Sequence, residues 1–104
     1  MKIHYGNAKM AKILSDERLI KATYTKYYKR LINALSEIIA TDCLNDIPTV
    51  PPRKRHKLFG NYADCWGICI NENYRIVIRP YGIFDINNLK TITEIEILRI
   101  EDYH

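Results

Sequence analysis

The feature that most constrains this chain is the apolar spacing between Ile20 and Ile39. Ile20, Tyr24, Tyr27, Tyr28, Leu31, Leu35, Ile38 and Ile39 fall at i, i+4, i+7, i+8, i+11, i+15, i+18 and i+19. That spacing draws one stripe down a helix of 3.6 residues per turn. It predicts a helix over about 16–40, with Ser15 as its cap and Asp16 and Glu17 in the first turn, where the helix dipole favours acids. Lys21, Lys26, Lys29 and Arg30 lie mostly off the stripe. The tyrosines share it with leucine and isoleucine, so they read as core-edge residues rather than as a stacking platform. A helix with one apolar face needs a second layer to bury it.

The rest of the chain supplies that layer. Residues 2–5 read as a short strand, and Asn7 can cap a first helix over 8–14. Residues 41–52 form a loop, with Pro48, Pro51 and Pro52 removing backbone donors. Residues 64–70 and 74–79 are rich in β-formers and flank Asn71-Glu72-Asn73, which has hairpin-turn chemistry. Residues 80–89 read as a loop or a hairpin excursion, and residues 93–100 as the last strand. There Ile95 and Ile97 fall on one face, and Leu98 and Ile100 on the other. The expected architecture is α+β: two N-terminal helices packed on one face of a small, twisted, mainly antiparallel sheet. At 104 residues, 47% hydrophobic and 27% charged, the chain suits one domain over 1–104. No apolar run approaches the roughly 20 residues that span a bilayer, and the N-terminus lacks a signal-peptide pattern, so a cytoplasmic location is expected.

The charge is unevenly spread. Residues 1–60 hold 12 Lys and Arg against 5 Asp and Glu, whereas residues 61–104 hold 4 against 7. A basic half on a small domain suits an anionic partner such as nucleic acid, or is a solvated helix face. Arg53-Lys54-Arg55-His56-Lys57 is the densest run, an anion-binding segment or a plain exposed loop. Arg75 and Arg79 share a strand face and are either solvated or holding an anion. Cys43, Cys65 and Cys69 lack zinc-ligand spacing and read as small buried hydrophobes, and no metal site is expected. His4 reads as a surface or internally satisfied residue. His56 and His104 are candidates for proton transfer, with Asp102 close enough in sequence to orient His104.

The helix pair, the stretch RHKLFG, the segment DCWGICINENYRIVIRP and the final EDYH together resemble the HigB-like toxins of the RelE/ParE superfamily, the killer proteins of bacterial type II toxin–antitoxin modules. The resemblance covers nearly the whole chain. It implies a basic endoribonuclease that enters the ribosomal A site and cuts mRNA without a cofactor. It further implies His56, Arg75, Asp102, Tyr103 and His104 in the active site, and Arg53, Lys54, Arg55, Lys57 and Arg79 as RNA-binding residues. The implied partners are the 70S ribosome, mRNA and a HigA-like helix-turn-helix antitoxin, with operator DNA bound only through the antitoxin complex and no membrane. The sequence departs from the family pattern at Phe59, where a lysine is expected; Lys57, Arg55 or Arg79 could substitute. A non-catalytic toxin of the same fold, directed at DNA gyrase, and a plain basic binding module are the rival readings.

Overall fold

The computed structural model describes residues 1–103; His104 lies outside them. The chain opens with β1 (Lys2–Tyr5), α1 (Ala8–Leu14), α2 (Glu17–Thr23) and α3 (Tyr28–Ala40). It continues through β2 (His56–Lys57), β3 (Trp66–Cys69), β4 (Tyr74–Pro80) and β5 (Glu94–Asp102), with short 3-10 turns in the connections. The sheet order is β1-β5-β4-β3-β2. β1 runs parallel to β5, and the remaining pairs are antiparallel. The expected α+β layering is therefore present, with three helices in place of two.

The predicted long helix is broken between Thr23 and Tyr28. Asp16, not Ser15, caps α2, accepting from the Arg18 amide at 2.9 Å. Ser15 instead ends α1, its hydroxyl donating to the Ala11 carbonyl. At the break, the Thr25 hydroxyl donates to the carbonyls of Lys21 (2.9 Å) and Ala22 (3.2 Å). It thus competes with the helical backbone. Tyr24 leaves the helical region, with φ −118° and ψ 46°. The break also lets Tyr27 stack on Tyr74 of β4, with centroids 4.0 Å apart. The apolar period survives because both helices still bury it: Ile20, Leu31, Ala34 and Ile38 are in the core, and the tyrosines lie at its edge. Ile39, at the end of the stripe, is exposed.

One sheet face meets the helices. Trp66, Ile68, Ile76, Ile78, Ile95 and Ile97 pack there against Met10, Leu31 and Ile38. Full burial of each such side chain contributes about 1.5–3 kcal/mol. The opposite face carries a small patch of Leu58, Cys65 and Val77, edged by Tyr62 and Leu98. All three cysteines are free and buried. Among the described residues, no helix is long and apolar enough to cross a membrane.

The expected alternation of β5 is corrected by a bulge. Val77 pairs with Arg99 and Ile78 with Ile97, so Leu98 is the extra residue. Beyond it Ile100 returns to the helix-side core. Arg99 and Glu101 are thereby set on the open face, and Asp102, paired with Tyr74, on the helix side.

Asn7 secures the start of α1 and ties it to this bulge. Its Oδ1 accepts from the Met10 amide (2.9 Å), and its Nδ2 donates to the Leu98 carbonyl (2.9 Å). Asn7→Ala should therefore cost about 1–2 kcal/mol, the upper range of a lost cap. Urea unfolding measures it, and an unchanged midpoint would contradict the role.

Candidate functional site

Register builds a cluster on the open face. His56 pairs with Gly67, Gly67 with Val77, and Cys69 with Arg75, which pairs in turn with Glu101. The His56 ring lies directly over Gly67. A Cβ built at Gly67 would sit 2.7 Å from His56 Cε1, 2.8 Å from its Nε2 and 3.3 Å from Arg75 Cδ. Imidazole and arginine therefore meet above the one position in the row with no side chain.

His56 Nδ1 lies 2.7 Å from the Lys54 carbonyl oxygen. A carbonyl only accepts, so Nδ1 carries a proton and donates it. In the neutral ring, Nε2 is then the lone-pair nitrogen, held over Gly67. Lys54 has φ +46°, in the left-handed region that is costly for a residue with a Cβ. That backbone excursion sits beside the carbonyl that fixes the imidazole.

Arg75 donates through Nε to Glu101 Oε1 at 2.9 Å, with Nη2 2.7 Å from the same oxygen. The other Glu101 oxygen lies 3.2 Å from Arg99 Nε. One carboxylate thus bridges two guanidinium groups, leaving excess positive charge and further N–H donors on Arg75. Arg99 also donates to the Tyr62 hydroxyl at 2.6 Å.

Tyr103 completes the cluster, with the Arg75 guanidinium 5.2 Å from its ring centroid. Its hydroxyl lies 3.4 Å from both Cys69 Sγ and the Asn71 carbonyl. The hydrogen bond with Cys69, followed by burial, pushes the Tyr103 pKa up to about 12. Near neutral pH it is a phenol that donates hydrogen bonds and offers a ring face, not a base. Tyr27 is also pushed up to about 12, by burial first and then by Tyr74, and burial raises Tyr24. Of the eight tyrosines, these three should therefore ionise late in an absorbance titration at 295 nm. A raised folded-state pKa means that the native state keeps its proton longer than the unfolded chain. The associated stability is fully present below pH ~10 and is lost as pH rises towards ~12. Uniform titration near 10 in the folded protein would contradict this.

Of the sequence-predicted residues, His56, Arg75 and Tyr103 come together. Asp102 does not join them. It lies on the helix side, close enough to Tyr27 to contribute to that phenol's raised pKa. Its neighbour Glu101, which sequence reasoning missed along with Arg99 and Gly67, holds Arg75 instead. His104 lies outside the described residues.

The basic run is mostly structural. Arg53 is buried; its Nη1 donates to the Cys69 carbonyl at 2.9 Å, and its Nε lies 2.9 Å from Glu37 Oε2 at an angle too poor for a hydrogen bond. Arg55 Nε donates to the Ile47 carbonyl at 2.8 Å, and burial lowers its pKa. Lys57 pairs with Trp66, and its ammonium stands 4.6 Å from that ring's centroid. Arg79 binds Glu96 and lies 3.6 Å from Asp64. Lys54 alone of the run has an exposed side chain. Arg53, Arg55 and Lys57 are therefore committed to loop and strand structure, and Arg79 to protein carboxylates. Phe59 is 85% exposed; of the three expected substitute cations, Arg55 and Arg79 are hydrogen-bonded to protein groups, and the Lys57 ammonium is buried beside Trp66 with no hydrogen-bond partner. Among the described residues, no group of three or more His, Cys, Asp or Glu could hold a metal ion.

Helices packed on one face of a five-stranded mixed sheet are an arrangement this chain shares with a solved toxin structure. A solved structure with the same fold is the YoeB/ParE toxin from Agrobacterium tumefaciens. It superposes with a TM-score of 0.59 at 16% identity, over 100% of both chains. No family model and no curated protein matches the sequence. The likeness is one of fold.

Proposed function

We propose that this chain is the toxin of a type II toxin–antitoxin module and acts in the cytoplasm as a ribosome-dependent endoribonuclease of the HigB-like kind. The observation that carries the reading is the meeting of His56 Nε2 and Arg75 above Gly67. Cleavage of an RNA strand through its own 2′-hydroxyl needs a base, a cation for the phosphorane and an acid for the leaving oxygen. His56 Nε2 takes the 2′-hydroxyl proton. The 2′-oxygen attacks phosphorus, and the bond from phosphorus to the 5′-oxygen breaks. Arg75, tethered by Glu101, forks onto the phosphoryl oxygens. Tyr103 donates a hydrogen bond or stacks on a base. His104, next in the chain, is assigned as the acid that protonates the leaving 5′-oxygen. The products are a 2′,3′-cyclic phosphate and a 5′-hydroxyl.

Arg99 takes the place left by the family lysine: it shares Glu101 with Arg75 on the open face, whereas Phe59 carries no charge and Lys57 lies with Trp66 on the helix-side face. The ribosome supplies the mRNA in its A site, a helix-turn-helix antitoxin neutralises the toxin, and operator DNA is bound only by their complex. The fold also serves gyrase-directed toxins, and Phe59 favours that rival; the His56–Arg75 cluster favours the nuclease. Induction separates the two. The nuclease predicts loss of protein synthesis within minutes with an intact chromosome. An SOS response with intact mRNA would establish the rival.

A further inference from the structure

Tyr103 also forms a wall of a second space. Its ring, Arg30 of α3, the loop residues Pro51, Pro52 and Lys54, and Glu72 of the β3–β4 turn surround a cavity of about 410 Å³. That volume falls within the roughly 300–1,000 Å³ of small-molecule sites. The cavity adjoins the cluster on two sides. Arg75 lies over the Tyr103 ring, and the Lys54 carbonyl holds His56.

The lining has a definite chemistry. Two proline rings and one phenol give apolar surface of the kind on which bases pack. Arg30 and Lys54 offer donors, and Glu72 offers a pair of acceptors. Among the described residues, none of these three is in an ion pair with another protein group. The turn that carries Glu72 is fixed, because Asn71 Oδ1 accepts from the amides of Asn73 (2.8 Å) and Tyr74 (2.9 Å). A carboxylate and two cations lining one cavity suit a base with adjacent donors on one edge and adjacent acceptors on another. Guanine has both: N1–H and N2–H₂ donate, while O6 and N7 accept. Adenine and uracil lack both such edges, and cytosine lacks the paired donors.

We infer that this cavity reads a guanine base of the RNA next to the scissile phosphate, with Glu72 on its Watson–Crick edge and Arg30 or Lys54 on O6 and N7. The placement of the RNA rests on the nuclease reading; guanine binding itself is measurable without cleavage.

The test titrates the full chain with guanosine and adenosine 5′-monophosphates, which carry the same phosphate, following amide chemical shifts by NMR. Guanosine monophosphate should bind ~5-fold or more tighter, the low end for one bidentate base contact. The shifts should centre on Asn71, Glu72 and Tyr103. Glu72→Gln should bring the two nucleotides to within about twofold, since a neutral amide replaces one of the two charged acceptor oxygens with a donor that opposes a guanine N–H. Equal affinity in the wild type, shifts centred elsewhere, or a guanine preference that survives Glu72→Gln would each overturn the inference. Mapping of mRNA 5′ ends separates this failure from failure of the nuclease reading. Cleavage with no guanine bias beside the cut sinks the pocket and leaves the nuclease. Guanine-selective binding without any cleavage keeps the pocket and sinks the nuclease.

Discussion

Gly67→Ala is expected to lower RNA cleavage by ~100-fold while leaving the protein folded. The added methyl would stand 2.7–2.8 Å from the His56 ring and 3.3 Å from Arg75 Cδ. Ordinary carbon contacts need about 3.5–4.0 Å, so the ring must move by the better part of an ångström. Displacements of that size cost on the order of 10²-fold in a positioned site. The movement also strains the Nδ1 hydrogen bond to Lys54. Stability should fall by much less than activity is lost, about 1–3 kcal/mol at most, because an imidazole on a two-residue strand can swing aside. Cleavage assays beside thermal unfolding measure both. Undiminished cleavage would show that the ring over Gly67 has no part in the reaction.

His56→Ala and Arg75→Ala test the two halves of the cluster. Loss of a general base typically costs 10²–10⁴-fold, and loss of one preorganised charge donor 10²–10³-fold. Each variant should lose at least ~100-fold in cleavage. Arg75→Lys should restore little, because an ammonium cannot match the bidentate fork. Arg75→Ala leaves Glu101 with Arg99 as its partner, so its carboxylate is not stranded and the fold should hold. A cleavage loss that merely tracked unfolding would argue for a structural role instead. An unchanged rate in either variant would remove that residue from the mechanism.

Much of the fold was legible because its signals are local. Asn7 caps α1, the Asn71–Asn73 turn closes β3 onto β4, and a short strand does stand at residues 2–5. The stripe from Ile20 to Ile39 was read as one helix because periodicity cannot register a break that preserves the phase of the buried face. Thr25 and the stacking of Tyr27 on Tyr74 made that break, and only the second layer shows its purpose. The site was less legible for a related reason. Extra residues in a strand leave no mark in composition, yet the bulge at Leu98 exchanges the faces of everything after it. Asp102 therefore left the open face and Glu101 took its place. The basic run misled differently: charge on paper reads as available charge, whereas Arg53, Arg55 and Lys57 are engaged by carbonyls and an indole that lie far off in sequence or are invisible to it. Gly67 had no sequence signal at all, since its importance comes from what crosses above it.

The most direct measurement is 5′-end mapping of cellular mRNA after brief induction, comparing the wild type with the His56→Ala variant at equal protein levels. New 5′-hydroxyl ends are expected at defined codon positions within translated regions, lost in the variant. Intact mRNA under wild-type induction, or the same ends in both strains, would contradict the nuclease reading.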